Sequence, residues 1–170
     1  MGLSGPGTAH GAEVHELGAD RTLVALPALR ELRGHLDADD AVVRARIDEV
    51  QRAQGYRLLG VLLPGEPDAV AVAGFRAISN LAWGEVLYVD DLSTRTAWRG
   101  RGYATVLLHR LDDEARGLGC SSVELDSGVG PHRADAHRRY LGHGYRISSH
   151  HFSRETGTTT APVPSDAWTR

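Results

Sequence analysis

The 170-residue sequence has no lysine, one cysteine (Cys120), one methionine and two phenylalanines. With lysine missing, arginine supplies every one of the 19 lysine-or-arginine positions. That usage fits a GC-rich genome, because arginine codons are GC-rich and lysine codons are not. A single cysteine excludes an intrachain disulfide framework and agrees with a reducing compartment. No window reaches the roughly 18 apolar residues that a membrane helix needs. The first twenty residues (MGLSGPGTAHGAEVHELGAD) lack a basic start followed by an apolar block. No membrane partner is expected, and the expected location is cytoplasmic. An excess of one charge is also missing: 19 basic against 22 acidic residues give a net charge of -3. Such a chain has no general attraction for nucleic acid, so a small molecule or another protein is the expected partner.

The hydrophobic share of 41% and charged share of 24% are those of a globular chain. Its length suits one full core and is too short for two ordinary domains. A single domain is therefore expected over residues 13–154, with 1–12 and 155–170 as flexible tails, since both ends mix small, polar and turn residues without periodicity.

Periodicity orders the rest. A short strand is predicted at Glu13–Leu17, and apolar residues at 26, 29, 32 and 36 predict a helix with Pro27 in its tolerated first turn. Val43, Ile47 and Val50 mark a second helix that Asp39 can cap and that ends before Gly55. Tyr56–Leu63 and Val70–Ala77 read as a hairpin around PGEPD, and Glu85–Ser93 (EVLYVDDLS) as a long strand holding two carboxylates. A helix follows with Ala104, Leu107, Leu108, Leu111 and Ala115 on one face. Ser122–Ser127 is a further strand, His132–Leu141 a short helix, and Tyr145–Ser153 one or two closing strands. The order predicts a mixed α/β sheet.

Between the long strand and its helix lies RGRGYAT, Arg99–Thr105. A helix start leaves backbone N–H groups unpaired and partially positive, so it attracts anions. Glycines at 100 and 102 let a ligand approach, and guanidinium groups at 99 and 101 suit phosphate. A pyrophosphate fits this stretch; a plain turn with solvated charges is the alternative reading. A dinucleotide fingerprint fits poorly, because Thr105 stands at the third glycine position and STRTAW separates the strand from the glycines.

Arg99-x-x-Gly102-x-Ala104, with the strand VLYVDDLST before it and DAHRRYLGHGY after the next strand, resembles the acyl-CoA loop and its flanks in the GNAT superfamily of N-acetyltransferases. The similarity covers roughly Glu85–Arg154 and is most like the aminoalkylphosphonate N-acetyltransferase type. It implies a mostly antiparallel sheet with one splayed parallel pair and flanking helices, and acetyl-CoA as cosubstrate. On this resemblance the amides of Arg99, Gly100, Arg101, Gly102, Tyr103, Ala104 and Thr105 hold the pyrophosphate. Leu92, Ser93 and Thr94 pair through their backbone with the pantetheine arm, and an N–H near Leu92 faces the thioester oxygen.

The implied reaction moves acetyl to a primary amine of a small molecule. A free alkylamine has a pKa of about 10, so a base is required. By position the resemblance assigns that role to Asp91, directly or through a water. Strand alternation sends Asp90 to the opposite face. Tyr140 matches the tyrosine that protonates the leaving thiolate. Where the family usually carries an Asn, this chain has Asp135 and His137. The acceptor pocket is expected at Leu36–Asp40, Asn80–Trp83 and His150–Phe152, with Arg76, Arg133 or Arg138 available to a phosphonate. Histidines 132, 137, 143, 150 and 151 lack ligand spacing, so no metal is expected. Cys120 is expected in the core. A non-catalytic acyl-CoA-binding protein, or an enzyme acting on a protein N-terminus or lysine, are the alternatives. A homodimer is compatible with the family.

Overall fold

The β-rich runs before residue 126 assemble, in the computed structural model, into one five-stranded sheet whose spatial order follows the sequence. The strands are β1 (Glu13–Glu16), β2 (Arg57–Leu62), β3 (Ala71–Asn80), β4 (Gly84–Thr94) and β5 (Ser122–Leu125). Neighbours from β1 to β4 are antiparallel, and β4 and β5 are parallel. This is the mixed architecture expected from the sequence. The structure describes residues 12–36, 38–154 and 156–157. Asp37 and nearly all of both expected tails lie outside the described residues.

The chain divides after Leu125 into two compact units. In the first, the sheet is covered on one face by α1 (Leu26–Leu32) and α2 (Asp40–Ala45). α1 follows a 3₁₀ segment, Ala19–Ala25, and carries Pro27 in its first turn, where a missing N–H costs nothing. Asp39 caps α2 by accepting from the Ala41 amide at 2.8 Å, as its position in the sequence predicts. The helix then widens into one π turn, Arg46–Gln51, and ends at Gly55 with φ of 85°. Leu17, Leu26, Leu29, Val43, Tyr56, Leu58 and Val72 close this side of the core.

The opposite face carries α3 (Tyr103–Gly117). Leu107, Leu108 and Leu111 are fully buried, as their spacing requires. Each such leucine contributes about 1.5–3 kcal/mol relative to exposure. Tyr103 joins the buried stripe one turn before Leu107, while Ala104 is half-buried. The β4–α3–β5 crossover makes β4 and β5 parallel neighbours, since a helix must carry the chain back before the next strand begins.

The second unit contains a 3₁₀ turn, Pro131–Arg133, and α4 (Ala134–Gly142). The closing strands predicted at Tyr145–Ser153 are not formed: the described residues there are irregular. Ile147 and Phe152 are exposed, five residues apart, and the intervening SSHH supplies no apolar face to hold a strand against a core. Cys120 is half-exposed at the entry to β5 and is not a core residue; partial burial, with Glu85 nearby, raises its thiol pKa.

Candidate active site

The site begins with an interruption in β4. Gly74 of β3 pairs with Asp91, and the next residue, Phe75, pairs with Val89, so Asp90 is an extra residue bulged out of the ladder. The pairing of β4 with β5 runs from Val86 opposite Ser122 to Val89 opposite Leu125 and stops there. From Asp90 to Thr94, β4 continues with β3 on one side only. A strand edge with unpaired backbone groups is a template for another extended chain.

The bulge also corrects the expectation that Asp90 and Asp91 face opposite ways. Alternation holds only in an unbroken ladder, and an inserted residue resets it. Both carboxylates join one network on the α1 and α2 side. Asp91 accepts from Arg33 Nε at 2.8 Å on Oδ1 and from Tyr56 OH at 2.9 Å on Oδ2. Asp90 accepts from Arg76 Nε at 2.9 Å on Oδ2, while its carbonyl accepts from Arg33 Nη2 at 2.7 Å. Arg76 also donates to Gln51 Oε1 at 2.9 Å and lies over the Tyr56 ring, 5.6 Å from its centroid. The π turn supplies Gln51.

The electrostatics separate the two carboxylates. Burial raises the Asp90 carboxyl above its ordinary value, against the opposing Arg76 bond. Asp90 keeps Oδ1 without a donor among the described residues, whereas both Asp91 oxygens are engaged. Burial drives the Tyr56 phenol well above its usual value, with Asp91 and Asp90 pushing the same way, so it remains a proton donor. Gly74 makes room for it: a Cβ there would stand 1.9 Å from the Tyr56 hydroxyl.

Beyond β4 the loop 95–102 leads into α3. Gly100 and Gly102 have φ of 77° and 88°, a left-handed conformation that glycine adopts without cost. Among the described residues, the amides of Gly100, Arg101, Gly102, Tyr103 and Ala104 donate to no protein acceptor, whereas two of the seven expected amides are used within the protein, Arg99 by the Thr96 carbonyl at 3.3 Å and Thr105 by the Gly102 carbonyl at 2.9 Å. Arg99 Nε donates to the Thr94 carbonyl, and Arg101 lies 4.7 Å over the Trp98 ring. Both guanidinium groups, expected to suit a phosphate, thus also brace the loop itself. Leu92 and Thr94 are half-buried and Ser93 is buried. The buried Thr94 Oγ1 has no partner among the described residues. An open strand edge, an orphaned hydroxyl and five unsatisfied amides suit an extended, polar ligand ending in phosphates.

In the second unit, Tyr140 is buried on α4 and packs 5.8 Å from the Tyr145 ring. Burial raises its phenol pKa, with Arg133 opposing, so it is protonated at neutral pH. His137, at the expected Asn region, bonds the Gly128 carbonyl at 2.8 Å. Asp135 is paired with Arg138, and Arg133 with the Ser127 hydroxyl at 3.2 Å. Of the expected acceptor segments, Asn80 is used in its own turn, accepting from the Ala82 and Trp83 amides. His150 and Phe152 are exposed beside each other. Arg33, Tyr56, Gly74 and Gln51 were not expected at the site; the lone glycine inside strand VAVAGFR was the one available signal of a close approach.

A mixed sheet whose parallel pair parts beside a glycine-opened helix start is the framework of an acyl-CoA-dependent acyltransferase. The family described as Acetyltransferase (GNAT) matches residues 26–145, and the chain belongs to that family, with acetyl-CoA as its cosubstrate. It is 32% identical over 130 residues to the Uncharacterized N-acetyltransferase YhdJ of Bacillus subtilis (strain 168), covering 75% of this chain and 87% of the relative. Similar solved structures include aminoglycoside N-acetyltransferase AAC(6')-Iy in complex with CoA, at a TM-score of 0.71, 14% identity and 85% and 95% coverage of the two chains. Another is the ribosomal-protein-alanine N-acetyltransferase of Brucella melitensis biovar Abortus 2308, at 0.71, 18% identity and 86% and 99% coverage. These two share the fold and differ in the acceptor their names state.

Proposed function

We propose that the protein transfers acetyl from acetyl-CoA to a primary amine of a small molecule, with both compact units forming one catalytic domain. The observation that carries the reading is the open half of β4, Asp90–Thr94, leading into the unpaired amides of 100–104. The family match runs across the division at Leu125, which supports a single domain.

Acetyl-CoA supplies the activated acetyl group. The backbone of Leu92–Thr94 pairs with its extended arm, the Thr94 hydroxyl gains the partner it lacks, and the free amides of 100–104 hold the diphosphate. The amine must lose a proton to attack. Sequence favours Asp91 for this, but its two oxygens already accept from Arg33 and Tyr56, so the proton passes to the open oxygen of Asp90, directly or through water. Asp91 then orients the bulge. Tyr140, a buried phenol, donates its proton to the departing thiolate.

Within small amines, the reading extends to those bearing a phosphonate or similar anion near the nitrogen, the aminoalkylphosphonate type. Arg76 Nη1 has no acceptor among the described residues and is fixed beside Asp90 by its other nitrogens. A cytoplasmic location is part of this reading, since acetyl-CoA is the cosubstrate. The test is acetyl-CoA binding by calorimetry, then thiol release across an aminoalkylphosphonate, an aminoglycoside, a polyamine and a peptide N-terminus. Release with the phosphonate or another small amine is expected; release only with the peptide, or binding without release, overturns the reading.

A further inference from the structure

We propose that the C-terminal end of α1 is a clamp on the open half of β4, with Arg33 as a positioning residue for the bulge and Glu31 fastening the exit of the strand. The proposal rests on the acetyl-transfer reading and assigns residues to that site which neither the family pattern nor the sequence singles out.

Arg33 is the first residue after α1, with φ of −112° and ψ of 66°, so the chain has left the helix. Its guanidinium bonds two points of the bulge: Nη2 donates to the Asp90 carbonyl at 2.7 Å and Nε to Asp91 Oδ1 at 2.8 Å. A bulged residue loses its regular ladder partner, and a half-buried carbonyl left unpaired is costly. Arg33 replaces that partner across 57 residues of sequence. The Arg33 and Asp91 side chains are 28% and 13% exposed, so water screens this pair less than a surface one.

Two residues earlier on α1, Glu31 Oε2 accepts from the Thr96 amide at 2.6 Å and from Thr96 Oγ1 at 2.7 Å. Thr96 lies two residues past the end of β4. Residues 90–96, the stretch with no β5 partner, are therefore gripped at both ends by Glu31 in the last turn of α1 and Arg33 just past it. A planar, five-donor fork reaches a carbonyl and a carboxylate together; an ammonium supplies charge without that fork. Arg33→Lys is thus expected to retain only part of the effect.

The test uses the full-length protein, with wild type, Arg33→Met, Arg33→Lys and Glu31→Ala compared by amide hydrogen exchange, acetyl-CoA calorimetry and amine turnover. In Arg33→Met, exchange over 90–96 accelerates while 84–89 is unchanged. Turnover at saturation falls on the order of tenfold to a hundredfold, the cost of small misplacement of reacting groups. The acid limb of its pH profile moves upward: Asp90 faces Arg76 from β3, Asp91 from β4, Tyr56 before β2 and Arg33 from α1, and losing the last removes a cation that favours its carboxylate. Arg33→Lys restores part of the turnover. Glu31→Ala accelerates exchange at 94–96 and weakens acetyl-CoA binding about threefold, the scale of a single lost hydrogen bond. A folded Arg33→Met with wild-type exchange, turnover and pH profile overturns the clamp. Where Arg33→Met does not fold, unchanged exchange and binding in Glu31→Ala overturn it. A wild type that binds acetyl-CoA but acetylates no amine overturns the functional reading alone, since exchange and calorimetry still decide the clamp.

Discussion

β4 has two halves that share one ladder with β3 and differ on the other edge. From Val86 to Val89 it is paired on both sides, and Val86, Leu87 and Val89 are buried. From Asp90 to Thr94 one edge is open, the residues are mostly half-buried, and charged side chains replace apolar ones. The first half is held by packing that needs no ligand. The second is held by hydrogen bonds from elsewhere: Arg33, Tyr56 and Arg76 around the bulge, and Glu31 just past the strand. One strand thus combines a fixed anchor with an unpaired edge, and the bulge at Asp90 marks the change.

The comparison breaks if damage to the anchored half harms chemistry, or damage to the open half harms only folding. Leu87→Ala removes a fully buried side chain and is expected to cost about 2–5 kcal/mol of stability in denaturant unfolding, with turnover per folded molecule unchanged. Asp90→Asn acts in the opposite sense. It is expected to lower turnover at least ~100-fold, the range for loss of a general base, while unfolding shifts by much less. Its pH profile sharpens the point. A base works when deprotonated, and burial raises the Asp90 carboxyl, so wild-type activity is lost on acidification at a higher pH than for an unperturbed aspartate. That limb should be absent in Asp90→Asn. Tyr140→Phe should cut turnover at least about tenfold with acetyl-CoA affinity little changed, measured by thiol release and calorimetry, because it removes one proton donor and no binding surface. An unchanged turnover number would remove Tyr140 from the acid role.

The anchored half was legible in the sequence and the open half only partly so. Alternating and helical apolar spacing placed β2, β3, β4 and α3, because burial of a periodic face fixes each element locally. RGRGYA marked the turn into α3, where Gly100 and Gly102 take left-handed conformations, because glycine and a helix start are both local signals. The bulge was hidden: VDDL reads as regular alternation, and nothing local says that one residue is extra. Arg33, Tyr56 and Gly74 were hidden for a related reason, since their meeting with Asp90 and Asp91 depends on strand register and spans 35 to 58 residues for the two bonds to Asp91. The closing strands failed in the other direction. YRISSHHFS has some strand-forming residues, but Ile147 and Phe152 cannot share a face, so composition suggested what patterning did not support.

The smallest expected effect probes the join between the open edge and the loop. Gly102 has φ of 88°, and a Cβ there would meet nothing within 4 Å. Gly102→Ala therefore introduces no clash; its cost is the left-handed backbone alone, about 1 kcal/mol. The fold already holds Gly102 at φ 88°, so that cost appears in unfolding; if the amides of 100–104 also hold a diphosphate, relaxation of the strained backbone displaces them, and KM for acetyl-CoA should rise up to about fivefold with turnover at saturation within twofold, as for an interaction made equally in ground and transition states. If the loop were only a turn with solvated charges, the same ~1 kcal/mol would appear in unfolding and KM would not move. Steady-state kinetics beside a denaturant titration of the one variant separates these outcomes, because only amides that hold the ligand carry the backbone change into KM.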